Sequence, residues 1–485
     1  MSRTGKEYLA SIDDGRVVWH GSERVKSVVS SRYYRNAAAS FAALFDAASN
    51  PDDLELFNYR SADRLRQRGF QIPATVGDLL GKRSMHEAWA RYSFGFLGRT
   101  PDYMASGLAG FMAAKHVFEG DVYDGRQALE RLYQDAADGS KFISFTLTNI
   151  RPDRRVPLSR QNSGGADIGV RAVRETDGGI YVSGVKAVGT AALFSDEIIV
   201  GSIEPLDLAD TDYALTFSIP PATAGVSLIS RQSYEANAAD PRDNPLSSRF
   251  DENDAMLVLD QAFVPWERVL TYRDTKAASA IWWETPAYVY MAQQASIRFA
   301  TKLRFLAGLA CLAARANGLN DNPQVRMTLG RLLGYVEMAR SMVLGAEADH
   351  EMVPGTPGAI APNRQIVYAQ RIVAAELYPK FVHELRMLCG GSLIYVPRSV
   401  ADLDHPEVGK VIASYMATTD QSAVERTRLL KLIWDATSSE FAARHAHYEQ
   451  FYQGAPHVYF SQMATENALS AYGAFAASAC DDPSL

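Results

Sequence analysis

Cysteine is scarce in this chain. Its 485 residues include three, Cys311, Cys389 and Cys480, which are scattered and odd in number. Such spacing matches neither a disulfide framework nor a Cys/His metal motif, and it suits a reducing compartment. We therefore interpret the cysteines as small buried hydrophobic residues and predict no metal site.

Long apolar runs and basic clusters are missing as well. The longest apolar run, FLAGLACLAA at 305–314, is too short to span a bilayer, and the start, MSRTGKEYLASIDDG, has no apolar signal core. The net charge is −7, with 49 Lys and Arg against 56 Asp and Glu, unlike that of a nucleic-acid-binding protein. The sequence therefore predicts a cytoplasmic protein with small-molecule partners and with no nucleic-acid or membrane partner.

The common nucleotide and hydrolase motifs are also absent. The sequence contains no G-x-G-x-x-G, no Walker P-loop, no H-E-x-x-H and no G-x-S-x-G. A dinucleotide fold of the doubly wound type is therefore not expected, and any cofactor site must be built in another way.

What the chain does have is a clear order of elements. Helical periodicity dominates residues 1–140, short β-rich runs such as KFISFTLTNI and GIYVSGVKAV fill 141–275, and long helical stretches return over 276–485. Runs of one element type argue against alternating βαβ units. We predict a mainly α protein of three domains: an N-terminal helical domain, a central antiparallel β-barrel or sandwich, and a C-terminal helical bundle with its tail.

The stretch FGFLGRTPDYM at 94–104 combines a helix start with two polar side chains. Thr100 and Pro101 form an N-cap and N1 pair, and Asp102 complements the helix dipole. Arg99 and Tyr103 can then face one cavity, where a guanidinium can hold a phenolate, carboxylate or peroxide oxygen. A surface ion pair for Arg99 and a core position for Tyr103 are the alternative.

Two β-rich stretches end in residues suited to a flat or phosphorylated ligand. In FISFTLTNIRPDRR at 142–155, the predicted strand is followed by a segment with three arginines. These arginines can bind a pyrophosphate, or the segment can be an ordinary solvated loop. The β-rich stretch VSGVKAVGTAAL at 182–193 ends in small residues around Thr190. These small residues either leave room for a flat ligand or only form a turn.

Several separated stretches, in the right order, resemble one family. They are GKEYLASIDDGRVVWHGSERVKSV, GRTPDYM, PLSSRFDEND, VPWE and the C-terminal WDATSSEFAARHAHYEQFYQG. Together they resemble the oxygenase component of 4-hydroxyphenylacetate 3-monooxygenase, over nearly the whole chain. The resemblance implies an acyl-CoA dehydrogenase-like fold and a homotetramer.

The resemblance also implies an activity. Members are two-component monooxygenases: a separate NAD(P)H:flavin reductase supplies reduced FAD, which reacts with O2 to a C4a-hydroperoxyflavin that hydroxylates an aromatic ring. Such an intermediate survives only in a largely apolar pocket with a few fixed donors. The expected substrate is a phenol, tyrosine-like and either free or carrier-bound.

Site residues follow from the same resemblance. Arg99 and Tyr103 match an arginine and a tyrosine that contact the phenol, whereas Phe145 stands in the substrate pocket where relatives often have a histidine, so one hydrogen-bonding group and possible base is lost. The positions matching FAD contacts are Thr146, Leu147, Arg151, Asp153, Arg154, Thr190, Ser439 and Arg444.

Four other interpretations compete with this one, and the third of them is nearly excluded by the sequence. Phe145 leaves room for oxygenation of a heteroatom or another non-phenol substrate by the same flavin chemistry. An acyl-CoA dehydrogenase would need a carboxylate base such as Glu425, Glu440 or Glu449. An iron-sulfur dehydratase of the same fold would need cysteines in the N-terminal part, and none precedes Cys311. A scaffold protein would not bind reduced FAD.

Overall fold

The N-terminal part of the chain is mainly helical. The structure, a computed structural model, describes residues 3–163, 166–204, 206–238, 240–452, 454 and 456–479. Capping boxes start two of the first helices, at Thr4 with Glu7 and at Thr75 with Asp78. The elements are α1 (Gly5–Ile12), β1 (Val17–His20), β2 (Glu23–Val25), α2 (Arg35–Ser49), α3 (Leu54–Phe57), β3 (Asn58–Ser61), β4 (Arg64–Gln67), α4 (Val76–Tyr92), α5 (Pro101–Ala113) and α6 (Arg126–Gly139).

The predicted helix start at Thr100 and Pro101 is confirmed, since α5 begins at Pro101 with Thr100 as its N-cap residue. The Thr100 hydroxyl does not accept from the backbone, however, but donates to the carboxylate of Asp102. Twelve of the thirteen residues of α5 are buried. The helix is therefore a central element, and its first turn is held inside the molecule.

The strands in the middle of the chain form two larger sheets and one sheet of two strands, 162–163 with 166–167. The strands are β5 (Ile143–Thr146), β6 (Thr148–Asn149), β7 (Asn162–Ser163), β8 (Ala166–Asp167), β9 (Arg171–Thr176), β10 (Gly179–Thr190), β11 (Glu197–Val200), β12 (Leu215–Ile219), β13 (Val226–Ser230), β14 (Asp254–Pro265) and β15 (Val269–Tyr272). One sheet of seven strands has the order β2-β1-β13-β14-β10-β6 with β9 beside β10, and one of four strands has the order β15-β12-β11-β5.

The sheets depart from the predicted antiparallel arrangement. β1 pairs with β13 in parallel, and β11 pairs with β5 in parallel. The first of these pairs also brings a strand from the N-terminal part into the large sheet. Local alternation of apolar residues indicates a strand but does not say which strand becomes its neighbour.

The C-terminal part is a group of long helices. The elements are α7 (Thr275–Trp283), α8 (Ala287–Ala316), α9 (Pro323–Ala348), β16 (Glu351–Met352), β17 (Ile360–Ala361), α10 (Arg364–Cys389), α11 (Val408–Met416), α12 (Ala423–Thr437), α13 (Glu440–Phe451), α14 (Pro456–Met463) and α15 (Glu466–Ala477). α8 packs against α5, α9 and α10. The fold is thus mainly helical with a sheet-containing middle, as predicted.

Three further sequence-based expectations concern the cysteines, a metal site and a membrane-spanning helix. Cys311 is exposed and Cys389 is buried, so the interpretation of the cysteines as buried is wrong for Cys311, while Cys480 lies outside the described residues. Within the described part of the chain, no cluster of three or more His, Cys, Asp or Glu side chains is arranged to bind a metal ion. None of the described helices combines the length and apolar character needed to cross a membrane.

Candidate active site

A cavity of about 490 Å³ lies where the first turn of α5 meets the sheet ends and the C-terminal helices. Its walls are mostly apolar and aromatic, with Phe145, Leu147, Ile203, Trp282 and Met291 among them. The ionisable side chains Arg99, Asp254, Arg444 and His447 also line it. An apolar cavity with a few convergent polar groups is typical of a site for an organic ligand.

The guanidinium of Arg99 is enclosed by four aromatic rings. Its Cζ lies 4.1 Å from the ring centre of Tyr103, 5.0 Å from Phe145, 5.6 Å from Tyr448 and 5.3 Å from Tyr452. The rings form two stacked pairs, Tyr103 with Phe145 at 5.9 Å and Tyr448 with Tyr452 at 4.8 Å. Rings placed in this way attract a cation and exclude water from it.

One nitrogen of Arg99 is left without a partner. Nη2 donates to the backbone oxygen of Tyr452, whereas Nη1 is buried and has no hydrogen bond to a described residue. Burial by itself lowers the pKa of Arg99, but Tyr103, Tyr448 and Glu252 outweigh it and raise the pKa. The alternative of a surface ion pair is therefore wrong, because the side chain is 7% exposed and pairs with no carboxylate among the described residues.

Two carboxylates just before and at the start of β14 hold the opposite groups of the cavity together. Glu252 accepts from the backbone N–H of Gly98 and of Arg99, at 2.8 and 2.7 Å, and from Nη1 of Arg444 at 2.7 Å. Asp254 accepts from the Thr190 hydroxyl and from Nη2 of Arg444, both at 2.7 Å.

The negative charge of Asp254 is stabilised by two arginines, Arg444 and Arg231. Burial alone raises the pKa of the Asp254 carboxyl, but Arg444 and then Arg231 outweigh burial and hold it well below its usual range. Asp254 therefore remains ionised, and Arg444, which is bonded to both carboxylates, has little freedom to move.

A second ionic cluster lies beside the rings of Tyr448 and Tyr452. Glu449 takes two hydrogen bonds of 2.7 Å from Arg298 and one of 2.6 Å from Lys302, and all three side chains are fully buried. Lys302 also lies 3.3 Å from Nδ1 of His445. Burial lowers the pKa of Lys302 to about 8 despite the opposing effect of Glu449.

Some of the predicted cofactor residues line the cavity. Leu147, Thr190 and Arg444 do so. Thr146 is fully buried, is not among the residues that line this cavity, and donates its hydroxyl to the backbone oxygen of Ala187 at 2.9 Å. Ser439 caps α13 through the N–H of Ala442 and is likewise absent from the described lining.

The arginine-rich loop after β6 does not reach the cavity. Arg151 donates to the backbone oxygen of Val156 at 3.0 Å, and Asp153 pairs with the neighbouring Arg155 at 2.7 Å. Arg154 is exposed, and its guanidinium has no partner in the part of the chain that the structure describes. Of the predicted phosphate-binding residues, Arg154 is thus the one whose exposed guanidinium forms no ion pair with a described residue and can bind an anion.

Several lining residues were missed by sequence reasoning. Tyr448 and Tyr452 follow Arg444 at intervals of four, so the spacing on α13 could have placed all three on one helix face. Glu252 and Asp254 stand two apart in PLSSRFDEND, a stretch noted only for its resemblance. Trp282, whose ring nitrogen is buried without a partner among described residues, gave no comparable signal.

The fold and the site together define a protein of the acyl-CoA dehydrogenase-like class with a largely aromatic pocket. Family models described as 4-hydroxyphenylacetate 3-hydroxylase, N terminal and C terminal, match residues 4–271 and 278–481. The chain belongs to this family.

Individual relatives are similar in sequence to this chain over almost its whole length. The chain is 34% identical to the pyoverdin chromophore biosynthetic protein PvcC of Pseudomonas aeruginosa, with 93% of this chain and 89% of the relative covered. It is 33% identical to the 4-hydroxyphenylacetate 3-monooxygenase oxygenase component of Escherichia coli, with 93% and 86% covered. A crystal structure of the oxygenase component HpaB complexed with FAD and 4-hydroxyphenylacetate superposes with a TM-score of 0.91, at 27% identity and 99% coverage of both chains.

Proposed function

We propose that this protein is the oxygenase component of a two-component monooxygenase that hydroxylates an aromatic, phenolic substrate with reduced FAD and O2. The observation that carries this proposal is the Arg99 guanidinium, which is enclosed by four rings beside an apolar cavity and has one nitrogen without a hydrogen-bond partner among the described residues. Relatives about one third identical over 93% of the chain are oxygenase components of this kind. A separate flavin reductase is the expected partner.

The residues present fit FAD. Thr190 and Arg444 line one side of the cavity, and outside the cavity the exposed Arg154 offers a guanidinium that can meet a phosphate. Val188 lines the cavity with its side chain 56% exposed and with φ of +57°, a strained conformation for a β-branched residue. When bound, reduced FAD supplies the electrons with which one atom of O2 is transferred to the ring.

The side chains of the pocket then have simple tasks. Nη1 of Arg99 and the Tyr103 hydroxyl bind the phenolic oxygen, and the nearby positive charge favours its ionised, electron-rich form. Phe145 offers no donor, so on that side the substrate ring is oriented by contact with the stacked pair of Phe145 and Tyr103. The apolar walls exclude water from the reacting oxygen.

The acyl-CoA dehydrogenase alternative is not favoured. Of its candidate bases, Glu425 and Glu440 are exposed, and Glu449 is bound by Arg298 and Lys302. None of the three belongs to the described lining of the cavity.

Substitution of Arg99 tests the proposal. Wild-type protein supplied with reduced FAD, O2 and a phenol such as 4-hydroxyphenylacetate or tyrosine should yield a hydroxylated product, detected by mass spectrometry. Arg99→Ala should reduce the hydroxylation rate roughly 100-fold, because a hydrogen bond to a charged group is lost, and should leave the Kd of reduced FAD nearly unchanged.

The surface variant Arg126→Ala is the control, because its guanidinium pairs with exposed carboxylates only. Absence of product from the wild type with every phenol tested would contradict the proposed function. Wild-type rates in Arg99→Ala would instead remove Arg99 from the site.

The assembly and the location complete the proposal. The family resemblance supports a homotetramer, and exposed apolar side chains on the C-terminal helices agree with such an assembly. The cytoplasmic location stays a prediction from the cysteine content.

A further inference from the structure

Glu252 connects the two sides of the cavity through a single carboxylate. It lies in the turn before β14, is 1% exposed, and has both oxygens engaged. Oε2 accepts from the N–H groups of Gly98 and Arg99, and Oε1 accepts from Arg444. The loop before α5 and the helix α13 are therefore bonded to the same side chain.

The connection continues two residues later. Asp254 binds Arg444 by two further hydrogen bonds, of 2.9 Å from Nε and 2.7 Å from Nη2, and also binds the Thr190 hydroxyl. Arg99 faces the side of the cavity assigned to the phenol, while Thr190 and Arg444 belong to the side assigned to FAD. The short segment from Glu252 to Asp254 thus links both sides.

The carboxylate also holds the backbone that carries the Arg99 side chain. The N–H groups of Gly98 and Arg99 are buried, and the carboxylate of Glu252 is the acceptor for both. A buried N–H without an acceptor is costly, so the backbone of this loop would shift if the carboxylate were lost. Since the Arg99 guanidinium is held between the rings of Phe145 on β5 and Tyr448 on α13, such a shift would move it out of its place.

We propose that Glu252 is a positioning residue that fixes the distance between the phenol held by Arg99 and the flavin beside Thr190 and Arg444. The inference rests on the proposed function. In the coupled reaction one oxygen atom of O2 enters the ring and the other leaves as water. When the phenol is misplaced, O2 instead takes two electrons and two protons from reduced FAD and leaves as hydrogen peroxide.

The variant Glu252→Gln tests this role. Its side chain has the same shape, but its amide NH2 must face either the two backbone N–H groups or Arg444, all of which are donors. Glu235→Gln is the matched control, because Glu235 is also a buried carboxyl that accepts two consecutive N–H groups, from Asn36 at 2.8 Å and Ala37 at 3.0 Å, and it is not among the residues that line the cavity.

Two readouts separate positioning from a loss of stability. We expect Glu252→Gln to weaken binding of 4-hydroxyphenylacetate to the flavin-free protein by about tenfold or more, measured by calorimetry. We also expect the yield of hydroxylated product per reduced FAD oxidised to fall several-fold, with hydrogen peroxide making up the difference. Glu235→Gln should keep the wild-type values of both.

Other outcomes would overturn the inference. If Glu252→Gln matches Glu235→Gln in phenol affinity and in product yield, Glu252 has no positioning role. A fall in melting temperature without a change in either quantity has the same meaning. A wild type that hydroxylates no phenol contradicts the proposed function. In that case the role of Glu252 is still tested by comparing the phenol affinity of flavin-free Glu252→Gln with that of the flavin-free wild type.

Discussion

The carboxylate of Glu449 is stabilised by two cations, and all three side chains are buried. Burial by itself raises the pKa of the Glu449 carboxyl, but Arg298 and Lys302 outweigh burial and bring it to about 2. The ordinary pKa of 4.5 applies in the unfolded chain. Because the folded pKa is the lower one, the stabilisation is complete above pH 4.5 and is lost as the pH falls toward 2.

Acid titration of stability can reveal this carboxylate. The interval between the two pKa values corresponds to about 3 kcal/mol of unfolding free energy. Glu449→Gln should destabilise the protein by about 3 kcal/mol or more near neutral pH, since it leaves Arg298 and Lys302 buried without their anion. Measured by urea denaturation, the difference from wild type should shrink between pH 4.5 and pH 3. A difference that is constant with pH would contradict this assignment.

At the scale of elements, the site depends on close contact between α5 and α8. A Cβ atom added at Gly110 would lie 2.3 Å from Cα of Ala287, so the two backbones leave no room for a side chain there. At Gly107, one turn earlier, an added Cβ would meet only the flexible ends of Met104 and Met291. Both glycines lie on the same buried helix, but only Gly110 separates two main chains.

The two glycines form a matched pair for mutagenesis. Gly110→Ala should lower the unfolding free energy by about 2 kcal/mol or more, because α5 and α8 must move apart. Gly107→Ala should have a much smaller effect, since the methionines can adjust and alanine favours the helix by up to about 1 kcal/mol. Denaturant unfolding of both variants checks the contrast, and equal losses would argue against backbone contact as the cause.

At the scale of the whole molecule, the last described helix has no buried residue. α15 presents Tyr472 and Phe475 with 78% and 82% of their surface exposed. Apolar side chains of this size that stay exposed on a single chain mark an interaction surface. The proposed homotetramer gives them a partner.

Light scattering tests this assembly. The wild type should have four times the chain mass of 53.3 kDa. The double variant Tyr472→Ser with Phe475→Ser should lose assembly, since it removes two large apolar contacts, while Val122→Ser, at an exposed loop position, should not. A wild type that elutes at the mass of one chain would contradict the tetramer.

Much of the fold could be predicted from the sequence. The order of helices, strands and helices is confirmed, because the period of apolar residues is a local property. The start of α5 is confirmed as well, because the N-cap and N1 pair of Thr100 and Pro101 is a signal between neighbouring residues. Strand pairing was predicted less well, since β1 joins β13 across some 200 residues and no local pattern specifies that partner.

The sequence by itself determined the family and the order of elements, because motifs and periodicity are carried by neighbouring residues. Only the tertiary structure decided the surroundings of Arg99. Its hydrogen-bond partner Tyr452 is 353 positions away, and the carboxylate that holds its backbone is 153 positions away. Contacts between such distant segments depend on how helices and sheets pack, so the site's electrostatics are a property of the folded molecule.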